Sequence, residues 1–459
     1  MKRPYLYTFL SLLCLFTFHT SWAYERHASP AIHFAPSFAA LFERPQHYQQ
    51  HYYVDINAPA QGTGSKTKPF NNLKHALSHA RPGSYFHILP GRYKGVGVLQ
   101  NIQGLADAPI AIVGEGEVII DAQHDGSGLA LVDARYVLID GLTIMHTGIH
   151  GLSLDDGGDY RTPGGHVVIR NLHFKQIGQG KNHDCLKMSG IDHFYIYHNQ
   201  FEGCNRGEGI DMVGCHHGVI TGNLFQDMPG TAVQTKGGSR HILIQGNHFK
   251  NIAKHAINAG GSTGLDYFRP AKTDYEAKEI FIHANFIERS GLAAVGFYAC
   301  HQCKFSHNTL IEPQLHIIHF MSFKSQRHNV NSQFINNAIH YKQRDMNNRG
   351  FIKFDPALPP TMQFTFANNY WHMLDIDIFK RFFIITAPLQ ETNAIYSVIP
   401  LLDQHYRPIS KERLLADNMQ AHFKPKYDFD GQPYKLPLNI GALVAPEAEI
   451  DLLNSNNKM

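Results

Sequence analysis

From about residue 130 to residue 370, apolar side chains return in short alternating runs rather than at helical spacing. Leu152, Leu186, Ile210, Val233, Ile257, Val295 and Ile318 each open such a run, and Leu154, Met188, Met212, Thr235, Ala259, Phe297 and Phe320 follow two places later. In an extended strand, residues two apart share a face, so both columns point to one interior and the residues between them point out. The anchors Leu186, Ile210 and Val233 are 24 and 23 residues apart. That period predicts stacked repeats, each burying its apolar face only against its neighbours.

A second recurrence is asparagine, at Asn171, Asn199, Asn223, Asn247, Asn285, Asn308, Asn337 and Asn369. The pattern predicts amides at the same turn of successive coils, bonded to one another and to turn backbone, with asparagine itself supplying the left-handed conformation of the turn. Two gaps break the period: 34 residues separate Leu152 from Leu186, and 38 separate Ile257 from Val295. Such insertions become loops on one face of a solenoid, here expected to flank the charged coils as walls of a groove.

The ends read differently. Phe70, Leu73, Ala76, Leu77 and Ala80 share one helical face that stops at Pro82-Gly83, which predicts a short N-terminal helix capping the first coil. Residues 24–50 have no period and read as a linker or arm. After Asn369 the repeat fades, so 51–371 is the repeat domain and 372–459 an irregular C-terminal cap, with a helix predicted over 411–420. Met1-Lys2-Arg3, the apolar stretch 6–18 and Ser21-Trp22-Ala23 form a signal peptide over 1–23, which predicts a secreted or periplasmic protein. Neither that stretch nor any later one is long enough to span a membrane, so no stable membrane insertion is expected.

The formal net charge of +3, with histidine neutral and no Lys/Arg runs, argues against nucleic acid and suits an anionic partner. Nothing signals an oligomer, and a monomer is expected. Of six cysteines, Cys14 lies in the leader. The other five leave at least one without an intramolecular partner; Cys185 with Cys204 and Cys300 with Cys303 are possible pairs, and the sequence leaves connectivity open. The histidines show no H-x-H or H-E-x-x-H spacing, and His216-His217 reads as a solvated turn.

The opening layout of Tyr52-Tyr53-Val54-Asp55, Pro69-Phe70, Pro82-Gly83-Ser84 and Pro90-Gly91 is followed by Ala108-Pro-Ile-Ala-Ile, Val118-Ile-Ile-Asp and Val137-Leu-Ile-Asp-Gly. It resembles that of right-handed parallel β-helix proteins of the pectate-lyase-like superfamily, over roughly residues 52–370. The segment from Asp428 to Ala442 is similar to the tail of many exported β-helix carbohydrate enzymes. The resemblance implies an all-β chain, a single-stranded right-handed parallel β-helix. It also implies a groove over one sheet, where polysaccharide lyases and some glycosidases of the superfamily bind extended sugar chains.

The stacking arithmetic places charge on that face. If Leu186 and Met188 point in, Lys187 points out, and Asp211, Gln234 and Asn258 take the same slot in the next three coils, each step about 4.8 Å. Lys236 stands one outward slot along, and Asp184 and Glu208 lie two places before their anchors. Arg206, Arg240 and His255 fall close by.

Three readings follow. The first is β-elimination on a uronate-containing polysaccharide. Lys187 or Lys236, its pKa lowered by neighbouring cations, is the base, and Arg240 or Arg206 clamps the carboxylate. Gln234, His255, Asn258 and Tyr298 contact the glycan, Tyr267 and Phe268 stack on sugar rings, and Asp184, Glu208 and Asp211 hold Ca²⁺. The second is a glycoside hydrolase using two of those carboxylates. Asp184-Cys185 shares part of the Asp-Asp-Cys signature of polygalacturonases, but His183 stands where the first aspartate belongs. The third is a non-catalytic glycan-binding β-helix in which the charges merely pair.

Overall fold

The computed structural model describes residues 35–159, 161, 164–180, 182–321, 327–342, 351–355, 363–374, 391–397, 415–416, 438–439 and 441–442. The expected signal peptide and most of the expected C-terminal cap lie outside them. Within them the chain winds through three parallel sheets of 13, 10 and 12 strands. One coil shows the plan: Leu186–Ser189 joins the ten-stranded sheet, Ile191–Tyr197 the thirteen-stranded one and Gln200–Cys204 the twelve-stranded one. Ile210–Val213 then lies beside Leu186–Ser189 and the next coil begins. Parallel crossovers of this kind turn right-handedly, because a right-twisted strand packs back onto its sheet only that way.

The predicted columns are the observed register. Leu152 pairs with Leu186, Leu186 with Ile210, Ile210 with Val233 and Val233 with Ile257; Val295 and Ile318 continue the column. All seven are fully buried. Burying each such side chain contributes about 1.5–3 kcal/mol, which is why the register admits no one-residue slip. In the twelve-stranded sheet Phe174, Phe201, Phe225 and Phe249 stack at 4.9, 4.5 and 4.9 Å between centroids.

The asparagine ladder runs from Asn199 to Asn369. Each Nδ2 donates to the Oδ1 of the next, from Asn199 to Asn223 (2.9 Å) through Asn337 to Asn369 (3.0 Å). Asn369 ends the chain by donating to Glu391 Oε1 (2.9 Å). Asn171 is not a member: it is exposed and donates to Asp140 (2.7 Å), while Leu172 occupies the ladder position. Nor do ladder residues supply the left-handed conformation. The residue before each one does, including His198 (φ 55°), Gly222 (φ 63°) and Asn336 (φ 58°). Asn171 (φ 54°) holds that preceding slot, and its amide therefore cannot reach the stack.

The predicted N-terminal helix shortens to one turn, Leu73–Leu77, started by Asn72, whose Oδ1 accepts from the His75 amide (2.8 Å). Leu73, Ala76 and Leu77 join the main core. The expected arm is structured where it is described. Ser37–Glu43 forms a 3₁₀ helix, and Phe42 and Tyr48 cover Ala111, Leu138, Val168 and Tyr195. Those four are consecutive outward positions of the thirteen-stranded sheet, an apolar stripe that needs covering.

At the other end the twelve-stranded sheet runs past residue 371, since Ile395–Ser397 pairs with Tyr370–Met373. Leu415–Ala416, inside the predicted 411–420 helix, is instead extended and pairs antiparallel with Leu438–Asn439. Cys185–Cys204 and Cys300–Cys303 are disulfides; Cys215 is free and buried. Among the described residues no helix is long and apolar enough to cross a membrane.

Candidate functional site

The site lies on the outward face of the ten-stranded sheet, which the register fills with Lys187, Asp211, Gln234 and Asn258 in four successive coils. Asp211, 2 % exposed, is the hub. Lys187 donates to its Oδ2, and Lys236 (2.9 Å) and Gln234 Nε2 (3.0 Å) meet its Oδ1. Burial opposes its charge, but Lys187 and Lys236 hold Asp211 below the usual carboxylate range. Asp184, fully buried, accepts the Glu208 amide at Oδ1 (2.9 Å) and lies 3.5 Å from Lys187 Nζ. His150, which the sequence did not single out, accepts the Asp184 amide at Nδ1 (3.0 Å).

Two titrations follow from this packing. Burial works against the Lys187 ammonium, yet Asp211, Asp184 and Glu208 outweigh it and raise its pKa above the ordinary lysine value. That is opposite to the lowered pKa expected of a lysine base, because the near neighbours are anions, not cations. Glu208 moves the other way: burial, then the charges of Asp211 and Asp184, push its carboxyl to about 8. One group that exchanges a proton near neutrality therefore stands beside two ammonium groups.

The donor atoms of Asp184, Glu208 and Asp211 lie within 4.8 Å of one another, close enough to meet around a cation. Asp211, however, has both oxygens engaged, and Lys187 and Lys236 supply the positive charge there. A Ca²⁺ among these carboxylates would sit against two ammonium groups, so the residues as arranged do not fit the ion.

The other residues singled out divide. Asn258 donates to Gln234 Oε1 (3.2 Å) and extends the hub's network. His255 Nε2 meets His319 Nδ1 at 3.0 Å, and His319 Nε2 meets Asp355 Oδ1 at 3.2 Å. Tyr298 is half-buried at the end of the Ala293–Tyr298 strand, beside Gly260. Arg240 and Arg206 do not join the cluster. Arg240 lies past the Gly237-Gly238 corner, in the thirteen-stranded sheet, where Nη1 reaches Tyr275 Oη (3.4 Å); Arg206 is exposed on a turn. His216 is a buried strand residue rather than a solvated turn, bonded to Asp192 (2.8 Å) and the Arg269 carbonyl (3.1 Å).

The two insertions do not stand on opposite sides of the charged coils. They meet. Arg269 of the second runs back over the corner glycines Gly238, Gly214 and Gly190, and its guanidinium donates to Asp156 of the first. A Cβ at Gly214 would lie 2.6 Å from the Arg269 Cβ, so a bare corner is required for this path. Glu276 pins the base of the loop, accepting from Gly237 N–H (2.9 Å) and the Thr263 hydroxyl (2.7 Å). The result is one wall along the C-terminal ends of the site strands. Phe268 is buried under the Arg327 guanidinium (4.1 Å to the ring centre) and is not available to a sugar, whereas Tyr267 is 66 % exposed.

The model of a right-handed β-helix region matches residues 127–349. The chain folds as a right-handed parallel β-helix. An uncharacterized protein, YwoF of Bacillus subtilis (strain 168), is 27 % identical over 134 residues, which is 27 % of this chain and 28 % of that protein. The match thus spans little more than a quarter of this curated relative. Similar solved structures include an alginate lyase from Paenibacillus sp. str. FPU-7 (18 % identity, 62 % of this chain and 93 % of that one, TM-score 0.38). A GH87 α-1,3-glucanase catalytic unit from Streptomyces thermodiastaticus strain HF3-3 is another (17 %, 70 % and 63 %, TM-score 0.44).

Proposed function

We propose that this β-helix cleaves an acidic polysaccharide laid across the ten-stranded sheet, by β-elimination, in an exported setting. The observation that carries the reading is Glu208, a carboxyl pushed to about 8 beside two lysines bridged to one buried aspartate. Elimination on a uronate needs a base for the C5 proton and a cation to take up charge on the adjacent carboxylate. Lys187 and Lys236, held protonated or paired by Asp211, serve as the cations. Glu208 serves as the base, stronger than an ordinary carboxylate because its proton affinity is raised.

A second reading keeps the same residue. With its proton on, Glu208 is a general acid for a glycosidic oxygen, as hydrolysis requires. Against it, the other carboxylates that would activate water or attack are buried and bonded (Asp184 and Asp211).

The two readings are separated by a panel of uronate polysaccharides followed by near-ultraviolet absorbance and by reducing ends, across pH. Elimination gives an unsaturated, absorbing product, and its rate rises through about pH 8 as Glu208 ionises. Hydrolysis gives reducing ends without absorbance and falls through the same pH. Cleavage that survives intact in Glu208→Gln would sink both.

A further inference from the structure

Two hydrogen-bond relays cross the groove floor, and in each a carboxylate fixes the direction. Asp211 is held ionised by Lys187 and Lys236 and can only accept. Gln234 must therefore turn Nε2 toward it (3.0 Å), which turns Oε1 toward Asn258. Asn258 must in turn offer Nδ2 (3.2 Å), and its Oδ1 is left over; that atom is buried and has no hydrogen-bond partner. In the second relay Asp355 accepts from His319 Nε2–H (3.2 Å). His319 Nδ1 is then a bare acceptor for His255 Nε2–H (3.0 Å), and His255 Nδ1 is left bare in its turn. Burial, then His319 and Lys353, depress the His255 pKa to about 3, so the ring stays neutral.

Both relays end on one strand, His255–Gly260, each with an acceptor to spare. Asn258 Oδ1, buried and unpaired, is costly unless something donates to it, and His255 is as little exposed, at 5 %. The neighbouring coil presents no side chain of its own to Asn258. Gly296 is the register partner of Asn258, and a Cβ there would fall 2.3 Å from Asn258 Oδ1 and 2.5 Å from Met321 Cε. The Met321 methyl group that crowds this position is the end of a flexible side chain, and its swinging aside is what admits a ligand.

We infer that Asn258 Oδ1 and His255 Nδ1 form a subsite for a hydrogen-bond-donating group of the glycan, a hydroxyl, amide N–H or amine, and that it turns carboxylates away. The inference rests on the polysaccharide-cleaving reading. With Glu208 two coils away, roughly 10 Å along the sheet, it means a substrate acidic at the cluster and donor-bearing beside it. A homopolymer of uronate could offer only ring hydroxyls there, each with a carboxylate on the same residue beside acceptors that have no proton to share.

The test is titration calorimetry on Glu208→Gln protein, so that binding is read whether or not the wild type cleaves. The probes are equal-length oligosaccharides of polygalacturonate, of hyaluronan (a uronate alternating with an N-acetylated sugar) and of chitosan. The alternating oligomer is expected to bind at least about tenfold more tightly than the homouronate, as one good hydrogen bond against one repelled acceptor implies. That preference should fall below about threefold in Asn258→Leu and in His255→Phe, each checked for an unchanged melting transition. Chitosan binding tighter still assigns the donor as an amine; chitosan weaker than hyaluronan assigns it as a hydroxyl or amide. Homouronate binding as tightly as the alternating oligomer overturns the subsite, as does a preference left intact in both variants or no binding of any probe. A preserved preference in a wild type that cleaves nothing would sink the cleavage reading alone.

Discussion

Arg269 and Asp156, 113 residues apart, form a buried ion pair that joins the two insertions into one wall. Burial dominates at this carboxyl and lifts it to about 6 despite the guanidinium. Removing the cation leaves Asp156 with only backbone donors in a buried corner. Arg269→Ala is therefore expected to lower stability by about 3 kcal/mol and to expose the 260–270 loop to protease, while leaving the strand content unchanged. Denaturant melts and limited proteolysis check this; a resistant loop in the variant would show that Glu276 alone holds the wall.

The ladder gives an internal comparison. Asn247 donates to the carbonyls of Ile220 (2.9 Å) and Gln245 (3.1 Å) and to Asn285, and its Oδ1 accepts from Asn223 (2.9 Å). Asn247→Ala strands several buried partners and should cost about 2–4 kcal/mol. Asn171→Gly, at a left-handed exposed site outside the ladder, should cost under about 1 kcal/mol. Equal losses in urea melts would contradict the assignment of Asn171.

Glu208 also shapes stability against pH. Its folded pKa, about 8, lies above its unfolded value near 4.5, so the native state binds the proton more tightly. Stability from this group is full below pH 4.5 and declines as pH rises to 8, beyond which the loss is complete. Glu208→Gln mimics the protonated form and should be the more stable protein above pH 8, by roughly 1–3 kcal/mol after allowing for solvent screening. Melting curves at pH 5 and pH 9 read the difference; the same gap at both would refute it.

Because Lys187 and Lys236 neutralise Asp211, chelator should leave both melting temperature and any cleavage unchanged. Lys236→Met, by contrast, removes one of the two cations on a buried carboxylate, leaving that oxygen only the Gln234 amide, and should cost about 2–4 kcal/mol. A chelator-sensitive melt would reinstate the cation among Asp184, Glu208 and Asp211.

What the sequence disclosed depended on translation along the solenoid. Lys187, Asp211, Gln234 and Asn258 could be counted into one row because a strand repeats every two residues and a coil every 23 or 24. Counting failed where the chain turns a corner: Arg240 lies only four residues beyond Lys236, but Gly237 and Gly238 swing it into another sheet. It failed by one place at Asn171, where Leu172 took the ladder slot. His319 continues the row past Gly296, yet its partner Asp355 was hidden by an irregular coil length. The Asp156–Arg269 contact had no periodic signal, because both residues lie in the segments that interrupt the period. The sign of the Lys187 shift also needed three dimensions, since it depends on which charges are nearest rather than which are present.

The asparagine ladder has a direction: every side-chain amide hands one hydrogen to the next coil toward the C-terminal end, and Glu391 receives the last one. An interior member cannot tell which coil it belongs to, because the neighbours above and below look alike. The molecule can therefore be lengthened or shortened by whole turns between Asn199 and Asn247 without an unmatched amide, whereas residues that do not complete a turn must loop out of the row, as those between Asn247 and Asn285 do. Length in this protein is a quantised property, counted in coils.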